Sequence, residues 1–357
     1  DGRAGQIVTI DYTVSNASAF ATPAAPWTDS LYLSLDDTYD PTDKLLGRVT
    51  HIGAVGGNTS YPGQLVAPLP GVMPGNYRVL VNADSRGLVP DTDRDNNTLA
   101  STGVIAVDIP ALTPGVASSG TIASGQDLFF RVALPEGRTP SFTLDTGAAG
   151  GAELYLRQLD VPDRANFDDV AFDPAMTTQR ILNFGAAATT HFILVHGREN
   201  AGAGTTFTIT AEALDFGIVT IEHNTGAPFG RATATVHGSL FTPDTTFSLV
   251  PSFGAVLPAV QTVFQDASTA FVTFDLTGLP LGNYGVRAKE GAAEATLNAG
   301  FTVVNGTAGA LDFHVTSPRF IRPPFRGATV TLEYENTGDT DLVAPVIVLV
   351  GDSARMR

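Results

Sequence analysis

Two acidic stretches carry the residue types that could do chemistry. The first contains Asp36, Asp37, Asp40 and Asp43, and the second contains Asp91, Asp93, Asp95 and Asn96. Closely spaced carboxylate and amide oxygens are the ligands that calcium prefers in proteins. Each stretch is therefore a candidate calcium site, and calcium is the only cofactor that the sequence predicts.

The second stretch has the spacing of the first half of a calcium loop. Asp91, Asp93 and Asp95 occupy the first, third and fifth positions. The sixth position is not a glycine and the twelfth is Thr102 instead of a glutamate, which excludes a complete EF-hand. A smaller site between strands, which Asp84 could join, remains one hypothesis. The other is that the aspartates form solvated turns.

No pattern in the sequence predicts a catalytic residue. His191 and His196 lie five residues apart in one predicted strand, so we expect them on opposite faces, unable to share an ion. The motifs H-E-x-x-H and G-x-S-x-G are absent, and no glycine-rich phosphate loop opens a helix. We therefore predict that the chain is not an enzyme.

Composition excludes several classes of partner. The net charge is −16 and only two residues are lysines, which argues against nucleic acid and against anionic membrane surfaces. The chain has no cysteine, which removes disulfides and thiolate metal sites. The longest apolar run, 345–350, is far shorter than the ~20 residues of a membrane helix, so we predict no membrane insertion. The chain begins at Asp1 without an initiator methionine, and we expect it to be a fragment.

Strands must position the acidic stretches. Leu31, Leu33 and Leu35 alternate with Tyr32 and Ser34, the period of a strand with one buried face. Similar alternation recurs along the chain, punctuated by 37 glycines and 23 prolines, and no helical periodicity exceeds two turns. We predict an all-β protein of tandem immunoglobulin-like or jelly-roll-like β-sandwich domains in an elongated array, with the two acidic loops at opposite ends of the first sandwich.

Residues 1–109 resemble the bacterial cell-adhesion-related domain, CARDB. The matching segments are T-V-S-N at 13–16, W-T-D-S-L-Y-L-S at 27–34, P-G-N-Y-R-V-L-V-N-A-D at 74–84 and D-T-D-R-D-N-N at 91–97. The resemblance implies an immunoglobulin-like sandwich on an extracellular protein. The strand that the family places before Gly5 is missing, so we expect this domain to be N-terminally incomplete.

The remaining domains resemble other bacterial modules. Residues 114–213 resemble the pre-peptidase C-terminal (PPC) domain through S-G-Q-D-L-F-F at 124–130, E-L-Y-L at 153–156 and F-T-I-T-A at 207–211. Residues 215–305 are similar to immunoglobulin-like IPT/TIG domains through T-V-H-G-S-L-F-T-P-D-T-T-F-S-L at 235–249. Residues 310–357 repeat the first pattern, since G-A-T-V-T-L-E-Y-E-N at 327–336 aligns with 5–16, which predicts a partial second CARDB-like domain. The arginines at 318–326 are interpreted as part of an inter-domain connector.

Two aromatic positions complete the predictions. L-G-N-Y-G-V at 281–286 echoes P-G-N-Y-R-V at 74–79, and both resemble the tyrosine corner of sandwich folds. Trp27, the only tryptophan, is either a buried core residue or an exposed platform for stacking a sugar.

The resemblances imply a non-catalytic adhesion and spacer segment of a large exported bacterial protein, secreted or at the cell surface. Its partner would be an extracellular protein or a polysaccharide. The alternatives are an accessory substrate- or glycan-binding region of a secreted enzyme such as a peptidase, and a shell segment of a large toxin-like protein.

Overall fold

The chain is almost entirely β-structure. A computed structural model describes residues 1–185, 190–318, 329–344 and 346–348. Within these ranges it contains strands, two single-turn 3-10 helices at Asp95–Asn97 and Glu199–Ala201, and no α-helix. None of the described segments forms a helix with the length and apolar composition that crossing a bilayer requires. The fold class predicted from the sequence, all-β with immunoglobulin-like sandwiches, is confirmed.

The described chain forms two compact units. The first comprises Asp1–Glu136, Pro140–Asn183 and Ala187–Ala213. The second comprises Gly137–Thr139, Phe184–Ala186 and Leu214–Arg357. Each unit is described below by its own sheets.

The first unit begins with a sandwich of eight strands, which we call the first sandwich. Its strands are β1 (Gly2–Arg3), β2 (Ile7–Asn16), β3 (Trp27–Ser34), β4 (Lys44–His51), β5 (Thr59–Pro68), β6 (Gly75–Asn82), β7 (Thr98–Ala100) and β8 (Ile105–Asp108). One sheet has the order β1-β8-β6-β3-β4, with β7 also pairing β6. The other consists of the antiparallel pair β2 and β5.

The first unit continues with a second sandwich of two four-stranded sheets. Its strands are β9 (Ser118–Ile122), β10 (Asp127–Ala133), β11 (Pro140–Asp145), β12 (Ala152–Gln158), β13 (Asp169–Ala171), β14 (Thr178–Leu182), β15 (Thr190–Gly197) and β16 (Thr205–Ala213). The sheet orders are β10-β15-β12-β13 and β14-β11-β16-β9.

The second unit contains the third sandwich. Its strands are β17 (Gly217–Glu222), β18 (Thr225–Gly226), β19 (Arg231–Ser239), β20 (Thr246–Val250), β21 (Leu257–Pro258), β22 (Gln261–Asp266), β23 (Thr269–Asp275), β24 (Gly282–Glu290) and β25 (Ala293–Val303). The sheet orders are β17-β19-β23-β22 and β18-β25-β24-β20-β21.

An antiparallel hairpin follows the third sandwich. It pairs β26 (Leu311–Thr316) with β27 (Thr331–Asn336). Residues 319–326 of the connector predicted at 318–326 and the residues after 348 lie outside the described part of the chain. The predicted partial domain 310–357 is therefore described only as far as this hairpin and the segment after it.

Alternating apolar residues fill the interiors, but burial differs from the sequence pattern at two strands. In β3, Leu31 and Leu33 are buried as predicted, whereas Leu35 lies past the end of the strand and is exposed. In β10, strand alternation places Leu128 and Phe130 on the inward face, where they pack, yet Phe129 on the opposite face is also buried. Phe129 belongs to the apolar cluster that fills the first sandwich, so both faces of β10 are covered.

The first and third sandwiches share three structural details, and the first is a hydrogen bond from a tyrosine. The hydroxyls of Tyr77 and Tyr284 donate to carbonyls four residues earlier, at Met73 (2.7 Å) and Pro280 (2.9 Å). These bonds confirm both predicted tyrosine corners.

The second and third details involve the short strands β1 and β18. Gly2 pairs in parallel with Val107 and Gly226 pairs in parallel with Val303. A Cβ at either glycine would lie 2.5 Å from a buried leucine methyl, on Leu69 and Leu276 respectively. The two sandwiches are therefore built on one template.

Candidate functional site

The first acidic stretch is a series of turns capped by its own carboxylates. Asp36 accepts the N–H of Thr38 (2.8 Å), and Asp40 accepts both the N–H (2.7 Å) and the hydroxyl (2.6 Å) of Thr42. Asp43 accepts the N–H of Asp40 at 2.9 Å. The hydroxyl and then the N–H of Thr42 lower the pKa of Asp40. These are the bonds by which Asp forms turns.

The second stretch uses its alternate spacing in the same way. Asp91 accepts the N–H of Asp93 at 3.0 Å, and Asp93 accepts the N–H of Asp95 at 3.3 Å. The second oxygen of Asp93 accepts the amide of Asn96 at 3.0 Å. Asp91 and Asp93 thus each accept the N–H of the residue two positions ahead, and this alternate spacing produces a ladder of turns.

Asp84 lies at the base of this second loop and is buried. Its two oxygens accept the N–H groups of Leu88 and Val89, both at 2.8 Å. Arg94 lies 3.4 Å away and balances the charge. Asp84 therefore fixes the start of the loop and does not face the three aspartates as a fourth ligand.

The structure does not bring the predicted calcium ligands together. Among the residues it describes, no group of three or more His, Asp or Glu side chains has an arrangement that could hold a metal ion. Ser34 at the end of β3 faces Arg78 near the start of β6, whereas Ser30 faces Asn82 at the end of β6. The loops after β3 and β6 hence leave opposite ends of the sheet, as predicted. Calcium binding itself stays a prediction.

Trp27 lies in the core of the first sandwich. Only 4% of its surface is exposed, and its indole N–H donates to the Tyr61 hydroxyl at 3.1 Å. The ring of His51 lies 4.3 Å from the Trp27 ring, and Val55 belongs to the same cluster. A buried ring has no face for a sugar, so the platform hypothesis is wrong and the core hypothesis is correct.

A buried carboxylate beside Trp27 was not predicted from the sequence. Asp29, with no exposed surface, accepts hydroxyl hydrogen bonds from Tyr12 (3.0 Å) and Tyr61 (2.8 Å) and the N–H of Asp84 (3.0 Å). Burial, followed by the charge of Asp29, raises the pKa of Tyr12 well above its usual value. Burial and the bond to Asp29 also raise the pKa of Tyr61. We call Tyr12, Asp29 and Tyr61 the Asp29 network.

A glycine opposite Tyr12 makes the network possible. Gly63 pairs with Tyr12 across β2 and β5, and a Cβ at Gly63 would lie 2.1 Å from Cζ of the Tyr12 ring. The sequence does carry one signal for the network. Asp29 has the same parity as Leu31 and Leu33, so strand alternation places a carboxylate on the buried face.

A second cluster of titratable side chains lies in the second sandwich. The buried Glu153 accepts the Tyr155 hydroxyl at 2.5 Å and a hydrogen bond from Arg198, with Arg164 at 3.5 Å. Burial acts to raise the pKa of Glu153, but the bonds from Tyr155 and Arg198 and the two arginine charges outweigh it and lower that pKa. The cation of Arg198 lies 4.3 Å from the centre of the Phe172 ring.

The strand register places a histidine–aspartate contact next to Glu153. His196 faces Glu153 on one neighbouring strand and Asp127 on the other, and its ring nitrogen lies 2.6 Å from Asp127. His191 lies on the opposite side of β15, where its ring is 5.3 Å from that of Phe142. The predicted opposite orientation of the two histidines is thus confirmed. Because the polar groups of this cluster bind one another, we infer that the cluster stabilises the fold.

Comparison with known proteins identifies no family. No protein-family model matches the chain, and no curated protein matches its sequence. A number of solved structures show limited likeness to the chain, among them the following three. The pre-peptidase C-terminal domain of collagenase from Bacillus anthracis has 10% identity and a TM-score of 0.25, covering 29% of this chain and 95% of that domain.

The other two structures are themselves multidomain. The I9–I11 tandem from titin has 10% identity and a TM-score of 0.18, covering 85% of this chain and 94% of that one. Domains 4–9 of the surface layer protein SbsC have 11% identity and a TM-score of 0.20, covering 79% of this chain and 48% of that one. With TM-scores of 0.25 or less, none of the three assigns a family to this protein.

Proposed function

We propose that this chain is a non-catalytic structural and adhesion segment of a large exported bacterial protein. It would act as a modular spacer that also offers a surface for interaction. The observation that carries the proposal is the use of its polar side chains. The Asp29 network, the Glu153 cluster and the two tyrosine corners all bind groups within the sandwiches. Such bonds hold a module in one shape, which is what a spacer needs.

The finer assignment follows the sequence motifs. The segments that resemble a CARDB domain contain residues whose hydrogen bonds stabilise the first sandwich. They include Trp27, Asp29, Tyr77 and Asp84. This agreement supports a CARDB-like first domain at 1–109. We extend the proposal to a PPC-like domain at 114–213, an IPT/TIG-like domain at 215–305 and a partial CARDB-like domain at 310–357. Secretion or display at the cell surface follows from these assignments.

Two other functions remain as alternatives. The chain would be an accessory region of a secreted enzyme if the gene around it encodes a peptidase or another catalytic domain. It would be a shell segment of a toxin-like protein if that gene encodes a toxin repeat array. Further sandwiches in the same gene would favour the spacer. The partner proposed for the spacer is an extracellular protein or a polysaccharide.

Single-molecule pulling tests the mechanical part of the proposal. We expect the chain to unfold in separate steps, each releasing about 35 nm for a hundred residues of module. A matched Asp29→Ala variant should unfold its first sandwich at a lower force and leave the other steps unchanged. Continuous extension without steps would contradict a role as a load-bearing spacer.

Binding assays test the adhesive part. Immobilised chain should retain a collagen or a polysaccharide from a panel of extracellular ligands. The heat-unfolded chain is the matched control, because adhesion by folded modules should disappear with the fold. Equal retention by the unfolded chain would contradict specific recognition.

A further inference from the structure

The outer edge of β2 has backbone groups that no partner reaches within the described residues. On its inner side β2 pairs with β5, and Leu69 just after β5 donates its N–H to the carbonyl of Gln6. Antiparallel partners alternate between bonded and non-bonded pairs, so every second residue from Ile7 directs its N–H and C=O away from β5. These outward residues are Ile7, Thr9, Asp11, Thr13 and Ser15.

The positions of two prolines in β5 agree with this alternation of bonded and non-bonded pairs. Pro62 faces Thr13 and Pro68 faces Ile7 in β5. Proline has no N–H, so it fits the non-bonded positions of the pair. Among the residues that the structure describes, no backbone bond reaches the outward groups of β2.

The third sandwich identifies the equivalent edge. β2 starts five residues after Gly2, and β19 starts five residues after Gly226. Leu276 donates its N–H to Gly230 just as Leu69 donates to Gln6. Position by position, Asp11–Ser15 of β2 therefore corresponds to Thr235–Ser239 of β19.

In the third sandwich this edge is occupied. The antiparallel strand β17 pairs along Thr235–Ser239. Nearer the start of β19, Asp341 donates its N–H to the carbonyl of Arg231 and accepts the N–H of Thr233 at 3.1 Å. The outward groups from Arg231 to Ser239 thus face bonding partners, in contrast to those of β2.

The hairpin shows the same edge occupied in the sequence that most resembles β2. Asn336 ends β27 as Asn16 ends β2, and each donates its side-chain amide to the carbonyl four residues ahead, at 2.8 Å in both. Each also accepts the N–H two residues ahead. Asn336 accepts a further N–H from Ala310, which leads into β26. β26 precedes β27 in the chain as β17 precedes β19, and pairs along its whole length.

We propose that the outer edge of β2 is a docking site for an antiparallel strand of the β26 type, seated along Asp11–Ser15. The partner is an extended segment with apolar residues at alternate positions, as in Leu311–Thr316. It would enter beside Asn16, whose side-chain oxygen takes the place that Asn336 offers to Ala310. Backbone bonds would supply the affinity, as in other cases of strand addition to a sheet edge.

The test uses the full chain and a fluorescent peptide with the sequence of residues 309–317. Anisotropy should rise and saturate, and the same peptide carrying His314→Pro should not bind, because His314 occupies the position that faces Thr13 and proline there removes a ladder hydrogen bond. In the protein, Thr13→Pro removes one outward N–H and should weaken binding roughly tenfold, while Thr13→Ala leaves it unchanged.

Hydrogen exchange provides a readout that does not depend on the variants folding. On peptide addition, the amides of Asp11, Thr13 and Ser15 should slow, whereas Tyr12 and Val14, which already bind β5, should change little. Absence of saturable binding at millimolar peptide, or protection confined to other strands, would overturn the proposal.

Discussion

The first and third sandwiches are built on one template, but different kinds of side chain stabilise their interiors. Both have a tyrosine corner and a glycine in a short parallel strand beneath a buried leucine. Apart from Tyr284, the buried polar residues described in the third sandwich are serines and threonines, and none of them is a carboxylic acid. The first places the carboxyl side chain of Asp29 in its interior, where it accepts hydrogen bonds from two tyrosines.

This difference shows that the template does not dictate how the interior is stabilised. Apolar packing loses stability in proportion to the atoms removed. A buried carboxylate depends on every donor around it, because an unmatched buried polar group costs far more than a bond contributes. The first sandwich should therefore be the more sensitive of the two to single polar changes.

The largest effect is expected from Asp29→Ala. The change leaves the hydroxyls of Tyr12 and Tyr61 and the N–H of Asp84 without their acceptor. We expect the free energy of unfolding of the first sandwich to fall by about 3 kcal/mol. Trp27 is the only tryptophan, and only 4% of its surface is exposed. Its fluorescence during urea unfolding therefore reports on this sandwich selectively.

The matched control is Asp11→Ala, in the other sheet of the same sandwich. Asp11 is exposed and accepts a single bond, from the Gln64 amide at 2.7 Å. Its loss should change the unfolding midpoint little. Equal effects of the two variants would refute the claim that Asp29 is a structural centre.

The next effect is a loss of stability at high pH. The pKa values of Tyr12 and Tyr61 are raised in the folded state, mainly by burial. A raised pKa contributes stability that is complete below the unfolded value near 10 and is lost as the pH rises above it. The Trp27 signal should therefore report a falling urea midpoint above pH 10.

A single variant separates this effect from general alkaline unfolding. Tyr12→Phe removes one of the two shifted groups, so the decline of the midpoint above pH 10 should become shallower. The variant will be less stable at neutral pH, and the slope against pH is the quantity to compare. An unchanged slope would show that Tyr12 does not titrate with unfolding.

The effects expected at Asp29 and at Tyr12 both come from a network that the sequence analysis did not predict. Strand alternation identified the all-β fold, Leu31 and Leu33 as core, and the turn that leads to each corner tyrosine. The pattern treats a strand as having one buried face, so it missed that Phe129 is covered from the other side. Which surfaces meet depends on shape complementarity over distant segments, and spacing along the chain does not encode it.

The sequence left the function of the candidate sites open for a related reason. The spacing of Asp91, Asp93 and Asp95 fits calcium ligation and a ladder of turns equally well, and only the direction of the N–H groups separates them. The Asp29 network was overlooked although Asp29 shares the parity of Leu31. Its acceptors and donors come from β2, β3 and β5, so no local motif contains it.

A smaller effect is expected at the two tyrosine corners, and it should be similar in both sandwiches. Tyr77→Phe and Tyr284→Phe each remove one hydroxyl bond to a backbone carbonyl. We expect each to cost about 1 kcal/mol. Hydrogen exchange of the β6 and β24 amides measures the two separately. A loss several times greater in one sandwich would mean that the corners are not equivalent.

The smallest effect concerns calcium, which the sequence predicts for the first sandwich alone. The carboxylate oxygens of Asp40 and Asp93 already accept N–H and hydroxyl groups, so calcium would have to displace these bonds. Extracellular modules bind calcium with dissociation constants near ~10⁻³ M, and at an equal concentration of calcium the gain is about 0.4 kcal/mol. The Trp27 unfolding midpoint should rise slightly on adding calcium, and magnesium serves as the control ion. Asp93→Asn should remove the rise if the second loop is the site, and Asp40→Asn should remove it if the first is. A midpoint that millimolar calcium leaves unchanged would assign both loops to turn formation only.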